Sequence, residues 1–203
     1  MARSLGVVLA GGRGRRLGGE VPKALARLAG ATLLERAVAT VAAVCDEVVM
    51  VAPHRLALPA PCGARAVHDD GRGPLPALVA GLAAARFDCA LVLGVDFPLI
   101  AGGTLAAIAD RLGGSRYAAV PRPGDLLQPL VAAYAPAARG ALALAIERGE
   151  RALVAAVAGL PPRVIEPAEL AVFPGGLESF LNVNTPEDLA EAERRLGLQR
   201  ERA

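Results

Sequence analysis

Three short runs of this chain are apolar on both sides of any strand they could form: LGVVLA (Leu5 to Ala10), DEVVMVA beyond its first two residues (Asp46 to Ala52), and CALVLGVD up to its last (Cys89 to Asp96). A strand buried on both faces needs a layer on each, so these runs predict a parallel or mixed sheet with helices on both sides. Ala/Leu segments of helical period lie between them. Thr32 to Val44 sets Leu33, Leu34, Val38 and Val41 on one side and Glu35 and Arg36 on the other, and Leu75 to Ala85 reads as a second helix.

The pattern continues with a short strand at ARAVH (Ala64 to His68), a helix over Thr104 to Leu112, and strands at Tyr117 to Pro121 and Leu126 to Tyr134. Helices follow at Pro136 to Arg148 and Arg151 to Val157, then a short strand at Arg163 to Glu166. A last helix opens after Thr185, a good N-cap, with Pro186 at its first position and Glu187 and Asp188 in its first turn. No repeat or linker interrupts the 203 residues, so residues 1–203 are expected to form a single domain. With 54% hydrophobic residues and 3% aromatic ones, its core must be made of Ala, Val and Leu.

A net charge of +2, without a block of like charge, does not suit a nucleic-acid or membrane-surface binder. No apolar run approaches the roughly 20 residues of a membrane span, and the N-terminal run is too short for a signal peptide. Cys45, Cys62 and Cys89 form no CxxC pair and are odd in number; they read as small buried thiols in a reducing compartment. A cytoplasmic protein is expected.

In open α/β sheets the ligand crevice lies at the carboxyl ends of the strands. That rule selects the glycine loop after the first strand, the turn HDDGRGP, and Asp96. The loop LAGGRGRRLGGEVPKAL is not a dinucleotide fingerprint, because Leu17 stands where the third glycine belongs. Nor is it a Walker A loop, because Glu20 stands where the lysine belongs. Its glycines allow backbone N–H groups to converge on an anion, with Arg16 and Lys23 adding charge to a triphosphate. A glycine-rich turn with solvated cations is the plainer alternative. Lys23 is the one lysine in a chain that otherwise writes its cations as arginine. An ammonium is a compact point charge that fits between phosphate oxygens, where a planar guanidinium needs more room.

Asp96, leaving a buried strand, is placed to hold Mg²⁺, which takes one or two carboxylates and completes its shell with phosphate oxygens. A turn or cap aspartate is the alternative. Asp69 or Asp70 can reach a ribose, a base or the metal, or simply form the turn. His54 and His68 read as ordinary loop residues.

Taken in order, GVVLAGGRGRRLGG, DDGRGPL, LVAGL, VLGVDFPLI, QPLVAAY and FLNVNTPEDL make the chain resemble the molybdenum cofactor guanylyltransferases from Leu5 to Leu196. The resemblance implies a three-layer α/β/α sandwich of the nucleotide-diphospho-sugar-transferase type, with a mostly parallel, doubly wound sheet. It also implies transfer of GMP from GTP to the terminal phosphate of molybdopterin, with Mg²⁺ as cofactor and transient contact with proteins that handle the molybdenum cofactor. On the matching positions, Leu9, Ala10, Gly11 and Gly12 would contact GTP through the loop. Lys23 would bind its phosphates, Asp69 the nucleoside, and Asp96 both GTP and Mg²⁺. Asn182 and Asn184 would line the pterin side, where the residues alone equally suit a turn feeding the Thr185 cap.

The match departs from the family pattern in three places. Val51 and Pro53 stand where the family often has an asparagine, GGEVPKAL carries an extra residue before Lys23, and GPLPAL replaces GPLAGI. A cytidylyltransferase for the same cofactor, a nucleotidyltransferase for another phosphate acceptor, and a non-catalytic nucleotide-binding protein are the alternatives.

Overall fold

The computed structural model describes residues 3–12, 17, 21–61, 63–113 and 115–201. The first strand, β1 (Ser4–Leu9), is followed by a small hairpin of β2 (Arg27–Leu28) and β3 (Ala31–Thr32). Then come α1 (Leu33–Ala42), β4 (Glu47–Pro53), β5 (Arg65–Asp69), α2 (Pro74–Ala83), β6 (Cys89–Gly94) and α3 (Gly102–Asp110). The remainder is β7 (Ala118–Pro121), β8 (Val131–Tyr134), α4 (Pro136–Glu147), α5 (Leu153–Ala158), β9 (Arg163–Ile165), α6 (Pro167–Leu170) and α7 (Pro186–Glu201).

Among the described residues, seven strands form one sheet in the order β5-β4-β1-β6-β8-β7-β9. Every pairing is parallel except those of β8, which runs against both β6 and β7. The expected α/β/α sandwich with a mostly parallel, mixed sheet is therefore present. Strand side chains alternate between two apolar cores. Val8, Met50, Leu91, Leu93 and Val131 pack under α1 and α3 with Leu34, Val38, Leu105 and Ile108. Val7, Val49, Val92, Ala132 and Tyr134 pack on the other face with Leu78 of α2, Leu142 of α4 and Val157 of α5. This two-sided burial is why the strands read as unbroken apolar runs.

Most element ends shift by one or two residues from the sequence expectation, and some differences have a clear physical reason. The run from Leu126 is a strand only from Val131, because Pro129 brings no ladder N–H. Its carbonyl instead accepts the buried Tyr134 hydroxyl at 2.9 Å. Asp46 stays outside β4 and accepts from the backbone N–H and hydroxyl of Ser4, both at 2.8 Å. The β2–β3 hairpin went unforeseen. Its two turn residues, Ala29 and Gly30, have φ of 48° and 89°, as a two-residue hairpin turn requires.

The Thr32 cap of α1 is a full capping box with Glu35. Among the described residues, no helix is long and apolar enough to cross a membrane. Cys45 and Cys89 are half-buried rather than fully buried, and desolvation pushes the Cys45 thiol up to about 12 and Cys89 to about 11. At pH 8 iodoacetamide should therefore alkylate both at least about tenfold more slowly than in the urea-unfolded chain, measured peptide by peptide. Equal rates in the two states would contradict their burial. Cys62 lies outside the described residues.

Candidate active site

Parallel strands β1, β4, β5 and β6 deliver their carboxyl ends to one edge of the sheet, and the three places singled out in the sequence meet there. They line a cavity of about 250 Å³ that includes Gly11, Gly12, Lys23, Asp69, Gly73 and Asp96. The loop leaves the sheet in a fixed direction. Ala10 N–H donates to Val51 at 2.9 Å, and Val95 N–H donates to Leu9 at 3.2 Å. Leu9 also lines the cavity, and Pro53 packs within reach of Gly11 to form one wall.

Lys23 begins a short 3-10 turn and is 8% exposed. Its stem passes close over Gly12, where a Cβ would stand 3.5 Å from Cδ. The ammonium donates to Asn184 Oδ1 at 2.7 Å and lies 3.8 Å from Asp96 Oδ2. Burial pulls the Lys23 pKa below the usual lysine range and the Asp96 pKa above the usual carboxylate range. Each charge partly offsets that effect on the other.

Asp96 lies just beyond β6. Gly94 leaves the space its carboxylate occupies, since a Cβ there would stand 2.3 Å from Oδ1. The Asn182 side chain lies beside the carboxylate and favours its charged form. Asp96 also accepts Val183 N–H through its carbonyl at 2.8 Å.

Asp69 ends β5 opposite Pro53. Its Oδ2 accepts Gly71 N–H at 3.0 Å, while Oδ1 is buried with no partner. Gly71 has φ of +65°, a conformation that residues with a Cβ rarely adopt, and the Arg55 guanidinium packs directly on it. Asp70, by contrast, points to solvent 3.7 Å from Arg72. The structure thus separates two aspartates that the sequence left equivalent. In α2 the prolines at positions 74 and 76 remove two of the first three amide N–H groups. The helix start is left a poor anion site.

The asparagines arrive from the far end of the chain. Thr185 Oγ1 accepts Asp188 N–H at 3.2 Å, and Asp188 Oδ2 accepts the N–H groups of Asn184 and Thr185, both at 2.8 Å. This cap fixes the backbone from which Asn184 reaches Lys23. Neither asparagine is among the cavity's lining residues, and Asn182 Oδ1 is buried without a partner. Arg16 lies outside the described residues.

Sequence reasoning missed the stacking of His54 on His68, with ring centroids 3.9 Å apart, and the packing of Arg55 on Gly71. Both follow from the β4–β5 register, which only the fold supplies.

Comparison with known proteins agrees with this geometry. The model of the MobA-like NTP transferase domain matches residues 6–161. A probable molybdenum cofactor guanylyltransferase of Chloroflexus aggregans is 38% identical over 203 positions, covering 95% of this chain and 94% of that protein. A molybdenum cofactor guanylyltransferase of Desulfosudis oleivorans is 32% identical, covering 93% of each chain.

Among solved structures, molybdopterin-guanine dinucleotide biosynthesis protein A from Archaeoglobus fulgidus superposes with a TM-score of 0.77 at 26% identity, covering 95% of this chain and 98% of that one. A 2-C-methyl-D-erythritol 4-phosphate cytidylyltransferase from Thermus thermophilus shares the fold, with a TM-score of 0.72 at 23% identity and coverage of 97% and 99%. The glycine loop, the buried lysine and the aspartate behind β6 are thus set in a nucleotidyltransferase scaffold, and the chain belongs to the MobA-like NTP transferase family.

Proposed function

We propose that this protein transfers GMP from GTP to the terminal phosphate of molybdopterin, releasing pyrophosphate, and that it does so in the cytoplasm. The observation that carries the reading is the Lys23–Asp96 pair, 3.8 Å apart beside a cavity that Asp69 also lines. The phosphates would lie toward Gly11, Gly12 and Lys23, and the nucleoside toward Asp69. The relatives named for molybdenum cofactor guanylyl transfer span nearly all of the chain and supply the substrate class.

A phosphate monoester has a second pKa of about 6, so the attacking oxygen is already anionic near neutrality and needs no general base. Its oxygen forms a bond to the α-phosphorus. The bond from that phosphorus to the bridging oxygen breaks, and pyrophosphate leaves with the electron pair. The protein's task is to orient two anions and offset their charge. Lys23 would donate to phosphate oxygens, and the backbone amides of Gly11 and Gly12 would add donors.

Asp96 suits Mg²⁺ by its chemistry: a hard carboxylate oxygen at the cavity edge, with no cluster of three His, Cys, Asp or Glu side chains among the described residues able to hold a metal alone. Such a site completes its shell with substrate oxygens, as Mg²⁺ sites commonly do. When bound there, Mg²⁺ would supply charge neutralisation to the phosphates.

Guanine presents two adjacent donor groups, N1–H and the 2-amino group, to a lone carboxylate oxygen such as Asp69 Oδ1. Pro53, standing where the family often has asparagine, favours a second reading with cytosine as the base. Pyrophosphate release measured with Mg²⁺, molybdopterin and each of GTP, CTP, ATP and UTP decides between them. GTP should be used fastest. Faster release with CTP would replace the base, and no release with any nucleotide would remove the transfer itself.

A further inference from the structure

We propose that Asn184 is a positioning residue for Lys23 rather than a contact to the acceptor, an inference that rests on the nucleotidyl-transfer reading. An ammonium can only donate, so the 2.7 Å bond from Nζ uses the carbonyl oxygen of the Asn184 amide and fixes its orientation. The bond gives the cation a neutral acceptor at 2.7 Å and leaves Asp96 at 3.8 Å. Without it, the nearest acceptor for the ammonium is the Asp96 carboxylate itself. Collapse into a direct ion pair would remove a cation from the phosphates and a carboxylate oxygen from the metal in one step. Asn184 thus holds the two opposite charges apart and available.

The rest of the segment is built to hold that distance. Asp188 clamps the backbone N–H of Asn184 and Thr185, and Val183 N–H is tied to the Asp96 carbonyl at 2.8 Å. One stretch of three residues therefore references both charged groups to the same backbone. Asn182 differs in kind. Its Oδ1 is buried without a partner, whereas that of Asn184 accepts from the ammonium. The two asparagines do different work despite their matching appearance in the sequence.

A double-mutant cycle between Lys23→Met and Asn184→Ala tests this, read both as Mg²⁺–nucleotide binding by calorimetry and as steady-state transfer to molybdopterin. Asn184 is exposed and its N–H bond to Asp188 is retained in the variant, so the fold should persist. Asn184→Ala should weaken nucleotide binding about tenfold and lower kcat, with KM for molybdopterin unchanged within about twofold. In the Lys23→Met background it should add less than about twofold, because the group it positions is gone.

Equal losses in both backgrounds would overturn the proposal, as would intact nucleotide affinity with a raised molybdopterin KM. Running the binding arm with GTP, CTP, ATP and UTP separates this from the choice of base. Coupling seen with CTP alone would support the positioning role while removing guanine. A parent protein that binds none of the four would overturn both.

Discussion

Asp96→Asn should slow single-turnover nucleotidyl transfer by about 100-fold or more while leaving the thermal midpoint near that of the parent. The substitution keeps the shape of the side chain, so the space left by Gly94 still accommodates it and the backbone bond from Val183 is untouched. What disappears is the negative charge. The parent carboxylate is held in a mostly buried position against its own desolvation, with Lys23 and the Asn182 amide favouring its charged form. A neutral amide there relieves that cost, which is why stability should hold while the chemistry fails. The decisive measurement is the transfer rate as Mg²⁺ is titrated. A rate and metal dependence matching the parent would remove Asp96 as the metal-holding group.

Lys23→Met should be of similar severity, lowering transfer by about 100-fold and nucleotide affinity by about tenfold, since two anions then approach with one fixed cation fewer. Methionine fills the buried channel over Gly12 without charge, so packing loss is not the cause. The more discriminating variant is Lys23→Arg, which keeps the charge. The stem runs tightly past Gly12, and the ammonium fits between a neutral amide oxygen at 2.7 Å and a carboxylate at 3.8 Å. A planar guanidinium cannot satisfy both neighbours in that space and should recover less than about a tenth of the lost rate. An arginine variant with parental turnover would show that net charge alone matters here. The sole lysine of an arginine-rich chain is kept, on this account, for the size of its head group.

Much of this was readable from residues alone. Apolar runs without alternation announced a sheet covered on both faces, and the two cores on either side of β1, β4 and β6 are the physical form of that pattern. Thr185 and Pro186 announced the start of α7. The crevice rule brought the glycine loop, the Asp69 turn and Asp96 to one cavity. The direction of β8 was not readable, because an apolar run carries no sign of which way it is threaded. Pro129 alone hinted that the preceding residues leave the ladder. Asp69 and Asp70 differ only in which face of the strand end they occupy, so their separation needed the register with Pro53. The pairing of Asn184 with Lys23 was hidden for a different reason: nothing local to either residue mentions the other.

That pairing spans 161 positions of sequence. Closing a contact of such sequence separation costs the loop entropy of nearly the whole chain, so it is held only while α7 is docked. Partly folded species with the sheet assembled but α7 undocked would therefore possess the glycine loop and Asp96 yet lack the hold on Lys23. Nucleotide would bind such species weakly and the complete fold tightly, and by mass action would draw the population toward the latter. The phosphate site thus doubles as a latch that closes only on a finished molecule.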